Sequence, residues 1–249
     1  MTNHVRLNNI EHRNLKVISK NTVKLGNNIS NTIIFPNEFI EAQREYPILF
    51  SKNPETGEFQ SSVLLGLNKG DNLFLKRGRW QASYIPAIIA KGPFVIGFDI
   101  EKNDHNKENE KMVVYIDMDN ARTNYNEGES IFDDQGNNTP YLHKINLLLA
   151  MIDNGIHLSK MMFTAFKEYD LIEPVTLDIV LSNNEKIHLA GHYTIHTEKL
   201  LSLNSEALKA LNSDGFLQMA YYVAGSLNNV QKLINLKNNR IQKCNSSAA

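Results

Sequence analysis

From Pro140 to Phe166 the apolar residues keep helical spacing over a longer run than anywhere before it. Leu142, Ile145, Leu148, Leu149, Ile152, Ile156, Met162, Phe163 and Phe166 recur at steps of three and four. They predict a long helix with a break near Asn154-Gly155 and a stop by Pro174. The first 115 or so residues carry short apolar or β-branched runs instead, at 15–18, 32–35, 47–50, 63–67, 72–76, 84–90, 94–100 and 112–117. Turn residues separate them roughly every 8–12 positions, the texture of an antiparallel meander. One short helix interrupts it. Pro36 opens that helix, with Phe39, Ile40 and Ala42 expected inside and Glu38, Glu41 and Arg44 outside.

After the long helix the pattern gives a hairpin, 177–181 and 187–195, about the turn Ser182-Asn183-Asn184-Glu185. Helices at 197–203 and 205–212 follow, the second closed by Gly215. A last helix carries Phe216, Met219, Ala220, Val223, Leu227, Val230, Leu233 and Ile234. The segment 101–111 has no apolar residue and reads as a solvated loop, and 120–138 has only Ile131 and Phe132 as anchors. Strands first, then helices with one hairpin, is an α+β fold. It has a strand-rich N-terminal half, mainly antiparallel sheet, and a helix-rich C-terminal half. No repeat or Pro/Ser-rich linker divides the chain. It reads as a single domain over 1–249, with two lobes at about 1–138 and 139–237 and a polar tail at 238–249.

Composition narrows the function classes. The 26 basic and 27 acidic residues nearly cancel, whereas nucleic-acid binders carry a positive excess to neutralise phosphates, so no nucleic-acid partner is expected. The lone Cys244, near the tail, allows no intramolecular disulfide. No apolar run approaches the roughly 20 residues of a membrane-spanning helix, and the N-terminal stretch lacks the apolar run of a signal peptide. The expected compartment is the cytoplasm.

Several constellations invite a chemical reading. His188, His192 and His196 recur every four residues, but Ile187, Leu189, Tyr193 and Ile195 alternate between them as in a strand. Histidines four apart on a strand stand roughly 13 Å from each other. Zinc ligands must each lie about 2 Å from the ion, so neighbours in this set cannot share one; an exposed polar strand face is expected. Asp117-Met118-Asp119-Asn120-Ala121-Arg122 lacks the glycine and the third ligand of a calcium loop. Leu65-Gly66-Leu67-Asn68-Lys69-Gly70 lacks the Gly-Lys-Ser/Thr ending of a phosphate loop, and no Gly-x-Ser-x-Gly or His-Glu-x-x-His is present. No metal and no cofactor are expected.

The segment Lys76-Arg77-Gly78-Arg79-Trp80, with Tyr84 beyond it, joins cations, the only tryptophan and a tyrosine within nine residues. Arg77, Arg79, Trp80 and Tyr84 form the candidate site for a ligand or partner, because guanidinium and aromatic groups together suit anionic, planar or proline-rich ligands. The other reading is a basic hairpin turn with Trp80 anchoring the sheet.

The order of short segments is distinctive. Glu45-Tyr46-Pro47-Ile48, Leu64-Leu65-Gly66-Leu67, Asp71-Asn72-Leu73-Phe74, Gly78-Arg79-Trp80, Tyr84-Ile85-Pro86-Ala87 and Pro93-Phe94 follow one another. Ile131-Phe132, Gly136, the helix after Pro140, Gly191, Lys199-Leu200 and Gly215-Phe216-Leu217 come later. This series, from about Leu15 to Leu233, resembles the bacterial SapC family. The resemblance implies a role linked to surface-array (S-layer) proteins and brings no enzymatic activity with it. SapC-like proteins found near flavin-dependent halogenases, cupin-like hydroxylases and outer-membrane receptors in some bacteria extend what the resemblance implies to an accessory or peptide-modifying pathway. The leading expectation is a non-catalytic binding or accessory protein in surface-layer biogenesis, with a protein partner. The alternative is an enzyme, or enzyme partner, in a peptide- or small-molecule-modifying pathway. Its site would be assembled from distant residues such as His143, Glu45 and the Asp117/Asp119 pair. A third expectation, a structural surface subunit, requires self-assembly through heterologous interfaces.

Overall fold

The computed structural model of the chain describes residues 3–102 and 108–247; side chains at 100–111, 244, 245 and 247 are outside that description. The expected loop at 101–111 therefore lies partly outside it. Its described ends belong to strands Phe94–Lys102 and Glu108–Asp117. The Cys244 side chain also lies outside the described residues. The fold is α+β with antiparallel sheets, strand-rich in the N-terminal half and helical in the C-terminal half.

Contacts gather the chain into two compact units, and each draws on two stretches of sequence. One holds residues 1–21 and 87–154, the other 22–86 and 155–249.

The first unit is built on the hairpin Phe94–Lys102/Glu108–Asp117, to which His4–Arg6 adds antiparallel as a third strand. Lys16–Val17 sits between Thr123–Asn124 and Glu129–Ser130 in a second small sheet. Leu15, Val17, Phe94, Ile116, Ile131, Phe132, Leu142, Ile145 and Leu149 form its core. Both expected anchors of the polar stretch, Ile131 and Phe132, are thus buried.

The second unit has a five-stranded antiparallel sheet in the order Ile172–Val180, Lys186–Ile195, Ile48–Lys52, Phe59–Leu64, Asn31–Ile33. The helix Phe216–Ser226 packs on its middle strands, and Ser226 Oγ accepts from the Ile48 backbone at 2.9 Å. Phe163 and Phe166 of the long helix both pack on Phe50 of the sheet, Phe163 edge-to-face at 5.0 Å.

Five expectations are corrected. The run at 84–90, expected within the meander, holds a second short helix, Ala87–Ala90. The helix Pro140–Glu168 runs without a break through Asn154-Gly155, and Gly155 is where Phe35 packs closest: a Cβ there would lie 2.5 Å from that of Phe35. Pro174 does not end the helix but lies inside Ile172–Val180, an edge strand, where its missing N–H breaks no inner ladder. Glu38 is buried and Ile40 half-exposed, the reverse of the expected helix faces, because the Glu38 carboxylate has polar partners inside. The last helix is two, Phe216–Ser226 and Asn229–Ser247, and the polar tail is helical to 247.

Candidate functional site

Residues 75–80 fold as a two-residue hairpin, Leu75–Lys76 against Arg79–Trp80. Arg77 and Gly78 fill the turn with φ of 51° and 72°. Positive φ at both central positions is the mirror-image turn whose twist matches flanking strands. Gln81 N donates to Phe74 O at 2.8 Å and extends the ladder by one bond.

The base of the hairpin is tied to the C-terminal helix. The Arg240 guanidinium donates to the backbone oxygens of Asn72 (2.6 Å) and Leu75 (3.0 Å) and pairs with Asp71 at 2.8 Å. Lys237 pairs with the same carboxylate at 2.7 Å. Charge-assisted bonds of this kind, to partly buried groups, hold geometry better than exposed pairs do.

Trp80 and Tyr84 turn inward. Trp80 Nε1 donates to Tyr46 Oη at 2.8 Å and to Tyr84 O at 3.1 Å, and Tyr46 Oη donates to Tyr84 O. The fully buried Tyr46 ring meets Phe74 edge-to-face at 4.7 Å. Tyr84 Oη donates to Glu38 Oε1 at 2.6 Å, while Glu38 Oε2 accepts from the Phe35 backbone at 2.9 Å. Burial holds both phenols far above their usual titration range, and the Glu38 charge adds to this at Tyr84. Glu45 closes the network with Ser83 and Lys232. Burial pushes its carboxyl up, but the bonds from Lys232 and Ser83 outweigh that and hold it low.

The four sequence candidates therefore divide. Trp80 and Tyr84 are joined directly and serve as the anchor. Arg77 and Arg79 stand exposed at the tip, and among the described residues no carboxylate pairs with either or with Lys76. Sequence reading missed Tyr46, Glu38 and Arg240. Tyr46 lies in the Glu45-Tyr46-Pro47-Ile48 segment quoted above, but no local pattern brings Arg240 to Asp71.

The other constellations do not assemble into a centre. A register shift between Val175 and Leu177, with Gly191 at φ 79° on the partner strand, breaks the expected alternation of the histidines. His188 is exposed and meets Asp178 at 2.6 Å, His192 is half-buried with its Nδ1 unpartnered, and His196 caps helix Thr197–Leu201. Asp117 Oδ1 accepts from the backbone of Asp119 (3.1 Å) in a local turn and from that of the distant Asn3 (3.2 Å). His143 is exposed on its helix, and no hydrogen bond or ion pair joins it to Asp117 or Asp119 among the described residues; Glu45 belongs to the other compact unit. No three His, Cys, Asp or Glu side chains among them are grouped to hold a metal ion. No described helix is long and apolar enough to cross a membrane.

A family model described as SapC matches residues 7–233. The chain belongs to the SapC family. The matched SapC span takes in parts of both compact units and the whole hairpin. No curated protein and no solved structure matches the chain.

Proposed function

We propose that this SapC-family chain works by binding rather than by chemistry, as an accessory protein in surface-layer (S-layer) biogenesis that engages a protein partner through the hairpin Leu75–Trp80. The observation that carries the reading is the division of labour just described. Trp80, Tyr84, Tyr46 and Arg240 fix the hairpin from within, and Arg77, Arg79 and Lys76 are left at its tip without an acidic partner among the described residues. A contact surface needs such a preorganised presentation, since ordering a loose loop on binding costs affinity. The phenols beside it are held protonated and are poorly suited to acid–base work at neutral pH. The surface-layer context is what the resemblance to SapC proteins implies, and the span of the match over residues 7–233 supports reading the chain as one functional domain.

Affinity capture from the source cells tests this. The unaltered chain is expected to retain a surface-layer component that Arg77→Ala/Arg79→Ala does not, with both chains folded by circular dichroism. Equal recovery by both counts against the hairpin as the contact. A catalysed turnover of any captured component would remove the non-catalytic reading.

A further inference from the structure

We infer that the tip of the hairpin is a receptor for a short carboxylate-rich peptide segment, an inference that rests on the hairpin being the contact surface proposed above. Two local costs at the tip have no offset within the described chain. Arg77 occupies the left-handed region at φ 51°, in a turn position that Asn, Asp or Gly fills with least strain. Lys76 is the direct cross-strand partner of Arg79, and like charges facing each other destabilise a ladder. No ion pair among the described residues relieves either: Asp71, the carboxylate closest along the chain, is held by Lys237 and Arg240, and Glu45 by Lys232. An anion seated between these cations would relieve the repulsion and use the side chain that the strained turn displays.

The chemistry of the surroundings favours carboxylates on a peptide over a phosphate polymer. Polyphosphates and nucleic acids draw affinity from an extended positive field, and this chain has 26 basic residues against 27 acidic. Three cations on one turn match two or three carboxylates, and each guanidinium fork donates to one in bidentate fashion. Next to the tip, Thr22 Cγ2 would lie 3.3 Å from a Cβ on Gly78, and the adjoining Val23 is 59% exposed. Val23 gives a neighbouring apolar side chain of a peptide something to cover, and a polyphosphate has no group to use it.

The decisive variant is Arg77→Asn, because asparagine relaxes the turn while removing the charge. A fluorescein-labelled peptide of glutamates interspersed with leucines is titrated with the full chain by fluorescence anisotropy, at about 50 mM and about 300 mM salt. Binding is expected to weaken at the higher salt and to fall about tenfold in Arg77→Asn, the scale of one lost charge-assisted pair. The same variant is expected to melt about 2 °C higher. Unchanged peptide affinity in a fully folded Arg77→Asn overturns the inference, and so does binding of inorganic polyphosphate with none of the peptide. Failure of the peptide, while the native component is still captured through the hairpin, removes this inference and leaves the binding reading standing. Failure of both removes both.

Discussion

At the scale of single residues, the second unit is held by polar groups with defined partners. Tyr46 is the hub: its hydroxyl accepts from Trp80 and donates to Tyr84 O. Tyr46→Phe keeps the ring against Phe74 and removes only those bonds. Trp80 Nε1 retains Tyr84 O, so the expected loss is about 1 kcal/mol, the net worth of one buried hydrogen bond, read by urea denaturation. His192 gives a pH dependence. Burial holds its pKa below the ordinary 6.5, so the unfolded chain takes up a proton that the folded chain resists. Its contribution to stability is complete above 6.5 and is lost as pH falls through that value toward the folded pKa. His192→Asn is expected to flatten the fall in melting temperature between about pH 7.5 and about pH 5.5, and an unchanged slope would assign the fall to other groups. Neither role could be read from the chain: a histidine in an alternating run looks exposed until the bulge at Gly191 changes its surroundings.

At the scale of elements, sequence signals were strongest where one period ran long. The helix Pro140–Glu168, the strand Lys186–Ile195 and the helices Thr197–Leu201 and Ser205–Ser213 were legible, and the strand Ile172–Val180 only from Leu177 on. The misplaced break and stop share one cause. Asn-Gly and Pro are breakers by local propensity, and tertiary contacts overrode both. Gly155→Ala sets these effects against each other. Alanine is favoured over glycine within a helix by about 1 kcal/mol. The added Cβ would lie 2.5 Å from Phe35 Cβ and 2.8 Å from its Cγ. Overpacking of that kind costs about 1–3 kcal/mol, so net destabilisation is expected in urea melts. A stabilised variant would show that Phe35 moves aside easily.

At the scale of the whole molecule, the two units interleave along the chain, and that makes them dependent on distant segments. Residues 87–154 contain most of one unit but lack Leu15 and Val17, both fully buried in its core. Burying two such side chains is worth about 3–6 kcal/mol, comparable to the entire stability of many small domains. The fragment 87–154 is therefore expected not to fold alone, and addition of a peptide of residues 1–21 is expected to restore dispersed amide resonances in its NMR spectrum. A well-dispersed spectrum from the fragment by itself would mean that the hairpin and helix suffice.

The α+β class, the positions of most helices and long strands, the SapC membership and the basic hairpin were legible along the chain, because each rests on local periodicity, turn chemistry or the order of short segments. Tertiary structure alone decided which residues meet across more than a hundred positions. It buried Glu38, brought Arg240 to Asp71, carried the long helix past Gly155 and joined residues 1–21 to 87–154. Long-range pairing depends on complementary surfaces formed only when distant segments pack together, and local propensity carries no record of them.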